Sequence, residues 1–405
     1  MDKPQQQAQV QQSQPLSVPA IAINNIAIVG MGLNCAAGSE PVALFGAVGA
    51  HLGFTRPDPV LEAPSLTGEG VESIMTCAMI ELDDEDPNDR MLSCLLPALS
   101  NAVESAELYT QVRNNILFYL VVPSPDLARG ECLHMEEWYA IISDALEELG
   151  DVEIRIKGSS KGVTEHLMFV TEGLQEGLWD SVIFGAVDSL VDELTCMELG
   201  KQNRIQTVDT NDGVIPGEAA GFVVLEHKDK LRKLSKLPYA WLKGISVQEE
   251  PYADMADQKR LSGLGQAIKA VLRVCDIGKE KIGVLTLAMG TEQQAMLEWY
   301  QTETSLWPHQ ANEQERLALQ LGEVDMIDPQ APAIPEILNL HLSLGDISIA
   351  SVPVAMILAS ARFDFNYPVC KRHFIVEAGD APFRGVIYLK HPTSGRELNK
   401  HEQAA

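Results

Sequence analysis

An aspartate stands at the start of an otherwise almost wholly apolar segment, LGDISIASVPVAMILAS, at residues 344–360. A helix this apolar must be buried on nearly all sides, so its first turn faces the interior. Asp346 follows Gly345, and its carboxylate could cap free N–H groups of that turn and favour the positive end of the helix dipole. The same placement would put a carboxylate at an interior site, so the residue has a functional interpretation as well.

Two serines, Ser159 and Ser160, precede a second predicted helix, over residues 161–177. A serine nucleophile needs an activating base, and His166 is six residues along that helix, whereas side chains on one face are three or four residues apart. We therefore favour N-capping of the helix as the role of the serines. Three carboxylates also lie on this helix: Glu165, Glu172 and Glu176. They either face water or border a polar cavity or a partner, because burying them unpaired would be too costly.

Metal and nucleotide sites are disfavoured, so no metal or cofactor is expected. The nine histidines show no HxxxH or HExxH spacing, and Asp346 with His341 would be only a partial ligand set. The seven cysteines are odd in number and never spaced as CxxC, and we interpret Cys35 and Cys196 as small buried hydrophobic residues. The GMG sequence at 30–32 lacks the third glycine of a dinucleotide-binding turn, and we interpret it as a tight turn between a strand and a helix.

The charge of the chain restricts its partners. There are 57 acidic and 30 basic residues, giving a formal charge of −27. This charge repels polyanions and argues against nucleic acid or an anionic membrane surface. The sequence shows no apolar run long enough to span a bilayer and no N-terminal signal. We expect a cytoplasmic protein, unless it is exported by a route that leaves no such signal.

The order of segments predicts a layered α/β fold. Helical segments alternate with short strands rich in Val, Ile and Leu, and the scheme recurs more loosely in the second half, which indicates an internal duplication. The predicted divisions are a disordered Gln-rich tail (1–20), an N-terminal half (21–230), a C-terminal half (231–395) and a short C-terminal tail (396–405).

Four blocks together resemble β-ketoacyl-acyl-carrier-protein synthases of the thiolase superfamily. In order and spacing they are IAIVGMG, FGAVDSL, PGEAAGFVVLE and LGDISIASVPVA. The resemblance spans roughly residues 21–392. It implies a five-layered αβαβα arrangement of two duplicated halves, and usually a dimer.

The resemblance also implies three catalytic positions, and this chain departs from the family at each. The family's nucleophilic cysteine, at the N-terminus of the first buried helix, falls on or beside Ser160. Its two histidines fall on Met289 of AMGT and Asp346 of SLGD. A lysine that often precedes the second histidine by five residues appears as His341. The glycine-phenylalanine-glycine-glycine loop near the C-terminus is here AGDAPFRG, which carries Asp380 and Arg384.

These departures lead to three hypotheses. The first is a catalytically inactive ketosynthase-like protein used as a binding scaffold, for which the resemblance implies a role as adaptor or chaperone in type VI secretion effector loading. The second is an acyl-thioester enzyme, a hydrolase or acyltransferase, with a non-standard site using Ser160 and Asp346. The third is a non-catalytic partner subunit of an active ketosynthase, acting with an acyl carrier protein. A homodimer is expected in the first case.

Overall fold

The computed structural model describes most of the chain, with gaps. The described ranges are 20–65, 70–82, 86–110, 115–159, 162–210, 212–231, 237–250, 262–308, 313–323, 335–365, 371–379 and 382–392. Ser160, Asp380 and the two predicted tails, apart from residue 20, lie outside them.

Twelve strands and twelve helices are assigned in the described residues. The strands are β1 (Ile21–Cys35), β2 (Arg56–Pro64), β3 (Val71–Thr76), β4 (Ile116–Pro123), β5 (Val152–Ser159), β6 (Ser181–Ser189), β7 (Glu218–His227), β8 (Ala240–Glu249), β9 (Val284–Ala288), β10 (Glu336–Asn339), β11 (Arg372–Glu377) and β12 (Phe383–Lys390). The helices are α1 (Pro41–Gly49), α2 (Pro87–Ser105), α3 (Ala128–Glu131), α4 (Met135–Ala145), α5 (Thr164–Glu176), α6 (Glu193–Lys201), α7 (Lys228–Leu231), α8 (Gly263–Val274), α9 (Gln293–Leu306), α10 (Glu313–Gln320), α11 (His341–Leu344) and α12 (Ser351–Asp364).

Ten of the strands form one mixed sheet whose two halves repeat the same order. The first half runs β5-β4-β6-β7-β1 and the second β10-β9-β11-β12-β8, so each follows the order 3-2-4-5-1 in its own strand numbering. In each half the fifth strand is antiparallel to both of its neighbours. β1 and β8 pair antiparallel and join the halves. The duplication predicted from sequence is therefore present in the topology.

Two helices, α5 and α12, pack against strands of both halves and form the central layer. α12 is buried along Ser351–Phe363, as its apolar sequence predicts. α2 covers the outer face of the first half and α8 that of the second. The layers therefore alternate αβαβα, and the fold class is confirmed. Truncating a fully buried side chain such as Leu358 of α12 to alanine would cost about 2–5 kcal/mol.

The glycine pair of GMG has a different role from the one predicted. Gly30 and Gly32 lie inside β1, so the prediction of a turn at this point was wrong. A Cβ atom on Gly32 would lie 2.0 Å from the backbone oxygen of Ala98, and one on Gly30 would lie 2.5 Å from Ala106 Cβ. The glycines let α2 approach the strand closely.

Candidate functional site

Residues at or beside the three positions that the resemblance singles out border one cavity. It has a volume of about 590 Å³ and is lined by Met289 and Asp346, together with Ser159 and Gly162 from either side of Ser160. Met289 follows the end of β9, Asp346 lies in the turn between α11 and α12, and Gly162 precedes α5. The ends of elements from both halves thus meet here, as the resemblance implies.

The N-terminus of α5 is capped by a carboxylate distant in sequence. Val163 N–H donates to Glu377 Oε1 at 2.6 Å, and Thr164 N–H donates to Glu377 Oε2 at 2.9 Å. Glu377 ends β11 and is half-buried, and its desolvation raises its pKa although hydrogen bonds from Thr164 and Val163 lower it. Ser159 instead donates its hydroxyl to the carbonyl of Gly162, so its predicted N-capping role was wrong. The first turn of α5 is therefore satisfied by an internal acid.

Met289 brings no proton-transfer group to the cavity. Its side chain is buried and packs with the outer core of the second half. A thioether is at most a weak hydrogen-bond acceptor and cannot donate to a substrate oxygen. The side chain at this position contributes to packing.

Asp346 does not cap α12, contrary to the structural interpretation from sequence. Its Oδ1 accepts from Ser348 N–H at 2.8 Å, while α12 begins at Ser351 without a side-chain cap. A short 3-10 turn separates the two, and Ser348 has a positive φ of 44°. The backbone of Asp346 is anchored to the first half, because its N–H donates to the carbonyl of Ile215 at 2.7 Å. The carboxylate is consequently held at the cavity wall.

His341 lies beside Asp346 in the same cavity wall. Its Nδ1 is 3.8 Å from Asp346 Oδ1, too far for a hydrogen bond. Its Nε2 is 2.8 Å from Ser351 Oγ, and its Nδ1 has no hydrogen-bond partner among the described residues. Burial lowers the pKa of His341, while Asp346 raises it to a smaller extent. The imidazole is therefore mainly neutral near pH 7.

Three arginines on the cavity wall form ion pairs with acidic side chains, and none of these pairs was predicted from the sequence. Arg129 Nε donates to Asp188 Oδ1 at 2.7 Å and its Nη2 donates to Oδ2 at 3.1 Å. The other two pairs are Arg204 with Glu292 and Arg384 with Glu298. Arg384 was noted in AGDAPFRG, but nothing in that loop indicated its partner. These partners are far apart in sequence, so only the tertiary structure identifies them.

The remaining candidates lie outside the site. Cys35 and Cys196 are buried, and burial raises the pKa of each thiol to about 12. The three carboxylates of α5 are all exposed to water: Glu165, Glu172 and Glu176. Within the described ranges, no three His, Cys, Asp or Glu side chains are grouped to hold a metal ion. None of the helices assigned there is both long and apolar enough to cross a bilayer.

Comparisons with known proteins identify the fold. No family model matches the chain, and no curated protein matches its sequence. Among solved structures it is similar to the ishigamide ketosynthase/chain length factor, at 14% identity and a TM-score of 0.68, over 91% of this chain and 99% of that one. The chain has a thiolase-like ketosynthase fold.

Two further structures agree with this assignment. One is a type II PKS acyl-carrier protein in complex with its ketosynthase, AntDE:AntF, at 12% identity and a TM-score of 0.65, over 93% of this chain and 100% of that one. The other is the ketosynthase from module 6 of the bacillaene synthase of Bacillus subtilis 168, at 14% identity and a TM-score of 0.66, over 91% and 72% of the two chains. At such identities the likeness establishes the fold and leaves the activity to the site.

Proposed function

We propose that this chain is a non-catalytic protein of the ketosynthase fold that acts as a binding scaffold in the cytoplasm. The observation that carries the proposal is the carboxyl group of Glu377, which accepts from the N–H groups of Val163 and Thr164 at the start of α5. In the family that the chain resembles, the positive end of this helix favours a cysteine thiolate. The Glu377 carboxyl group already occupies these N–H donors here, so a nucleophile beside it would be disfavoured.

The two other family positions support the same conclusion. The family's histidines donate hydrogen bonds to a substrate carbonyl, and such donors stabilise the negative charge that develops on its oxygen. Met289 offers no donor at this point, and the carboxylate of Asp346 would repel a developing oxyanion. The site therefore opposes acyl transfer at each position.

Intact-protein mass spectrometry tests the proposal. The full chain is incubated with acyl-coenzyme A and with an acylated carrier protein, next to its Ser160→Ala variant and an active ketosynthase as positive control. We expect no adduct on this chain. A Ser160-dependent acyl adduct would overturn the proposal in favour of an acyltransferase or hydrolase that uses Ser160 and Asp346.

A matched pair of variants tests whether Glu377 is the obstacle. Ser160→Cys should acylate slowly, and Ser160→Cys with Glu377→Ala should acylate at least about tenfold faster. The second change frees two N–H donors and removes the carboxyl group that they hold beside the new thiol. A shift of one pKa unit in that thiol corresponds to about 1.4 kcal/mol. Equal rates in two folded variants would show that Glu377 does not control this site.

A partner-subunit role is a second candidate, favoured by the similarity to the ishigamide ketosynthase/chain length factor over nearly its whole length. Copurification with an active ketosynthase and an acyl carrier protein would support it. A stable homodimer that binds neither the ketosynthase nor the acyl carrier protein would favour a separate adaptor. If the chain is such a separate adaptor, the role in type VI secretion effector loading implied by the resemblance is tested by whether the full chain retains an effector.

A further inference from the structure

The cavity contains two hydrogen-bond acceptors that lack a common donor. His341 is 3% exposed, and its Nδ1 has no partner among the described residues although it faces Asp346. When Nε2 carries the proton and donates to Ser351 Oγ, Nδ1 becomes an acceptor. The separation of 3.8 Å between Nδ1 and Asp346 Oδ1 is shorter than two hydrogen bonds, so one donor nitrogen can satisfy both distances at about 2.8 Å each.

The charge around this pair favours a cationic donor over a neutral one. Arg129 interacts electrostatically with three acids, namely Asp188, Asp346 and Asp192. Asp188 is its bidentate partner, so Asp346 and Asp192 are in excess. Burial raises the pKa of Asp192. Even with Asp192 protonated, one negative charge is left over beside the cavity.

The other charged side chains on the wall do not neutralise this excess negative charge. Arg204 and Arg384 are each paired with a glutamate of the cavity, so neither brings net positive charge. Glu377 is held by the N-terminus of α5, and Glu198 adds an exposed carboxylate at the rim. The wall is therefore acidic overall.

The rest of the wall indicates the class of molecule. The cavity volume of about 590 Å³ lies within the range of small-molecule sites. Part of its lining is apolar: Leu127, Leu190, Leu199, Val214, Ala295 and Ile349. An ammonium group on an aliphatic chain matches both the acidic part and the apolar part of this wall. One imidazole and one carboxylate are too few ligands for a zinc site, which uses three or four protein ligands.

We propose that this cavity binds a small molecule bearing a protonated primary amine, with the ammonium group held between His341 Nδ1 and Asp346. The inference rests on the proposed function, since it assigns a ligand to a site that no longer takes an acyl group. The two acceptors supply direction, and the excess negative charge supplies selectivity for a cation.

Calorimetric titration tests the inference. The full chain is titrated at constant ionic strength with n-butylammonium chloride and, in a separate experiment, with its neutral isostere n-butanol. We expect saturable binding of n-butylammonium in the millimolar range, as suits so small a ligand. n-Butanol should bind at least about tenfold more weakly, because it carries no charge to interact with Asp346. Asp346→Asn should weaken n-butylammonium binding by at least about tenfold.

Glu172→Gln is the matched control, because it removes an exposed carboxylate on α5 and should leave the affinity unchanged. Equal binding of amine and alcohol, unchanged affinity in Asp346→Asn, or no saturable binding of the amine would each overturn the inference. If Asp346→Asn does not fold, the His341 imidazole ¹⁵N signals of the native chain serve instead. The Nδ1 signal must then move with n-butylammonium and remain unchanged with n-butanol, and any other pattern contradicts the inference. An acyl adduct in the earlier mass-spectrometric test would separately overturn the proposed function.

Discussion

Arg129 and Asp188 form a buried ion pair whose disruption has a calculable cost. The side chains are 9% and 0% exposed, and two hydrogen bonds join them at 2.7 and 3.1 Å. Removing one partner of such a pair leaves an uncompensated buried charge and costs about 3–5 kcal/mol. Arg129→Met should therefore lower the free energy of unfolding by that amount. Arg129 also donates to Ser348 Oγ at 3.3 Å, so the turn that carries Asp346 should loosen as well.

Replacing both partners gives the opposite expectation. In Arg129→Met with Asp188→Leu neither member of the pair leaves the other's charge uncompensated, and apolar side chains of similar volume fill the space, so most of the loss should be recovered. Urea unfolding of the native chain, both single variants and the double variant gives the coupling energy as a double-mutant cycle. Lys230→Met is the control, because its partner Asp180 is partly exposed and such pairs contribute about 0–1 kcal/mol. If the Arg129 variant loses no more stability than the Lys230 variant, the reasoning about burial is refuted.

Three further predictions concern the scaffold. Burial lowers the pKa of His373 to about 3, so the unfolded chain binds more protons between that value and about 6.5. As the pH falls below 6.5, this residue should accordingly lower the free energy of unfolding of the native chain by up to about 1.4 kcal/mol per pH unit. The free energy of unfolding is measured with urea at each pH for the native chain and for His373→Gln, and an equal dependence on pH in the two proteins would contradict this prediction. Gly32→Ala should lower the free energy of unfolding, measured by heat or urea, by about 1–3 kcal/mol, because its Cβ would lie 2.0 Å from the backbone oxygen of Ala98. Gly46→Ala is the control and should not lower it, because a Cβ at that position meets no atom within 4 Å. Cys35, whose pKa burial raises to about 12, should resist iodoacetamide in the native chain and react only after unfolding, as read by peptide mass spectrometry.

The strongly patterned elements were predictable from sequence. The apolar segment that became α12 and the Val- and Ile-rich strands β4 and β6 are buried along nearly their whole length, so composition alone distinguishes them. Gly30 and Gly32 show where such reasoning fails. A glycine pair is equally consistent with a turn and with a close strand-to-helix contact, and only α2, some seventy residues further on, decides between them.

The site was predictable only in outline. The resemblance placed Met289 and Asp346, and both line the cavity. Glu377 was missed because its partners Val163 and Thr164 are 214 and 213 positions away, and no local pattern marks a carboxylate that caps a distant helix. The local rule that an aspartate caps the helix after it failed at Asp346, because a 3-10 turn intervenes before α12.

The residues that line the cavity can vary without loss of the fold because of where they lie. The central core is made by α5, α12 and the inner faces of the sheet, whereas the cavity is lined by segments at the ends of these elements and by residues of α6 and α9. A methionine at position 289 can join the apolar packing, and a carboxylate at 346 can be held by one backbone N–H, without altering the strand order. In the proposed amine site, the acceptors His341 Nδ1 and Asp346 would reverse the polarity that a carbonyl substrate requires. Such a site would select donors, so we propose that the substrates of other ketosynthase folds are poor guides to the ligand of this one.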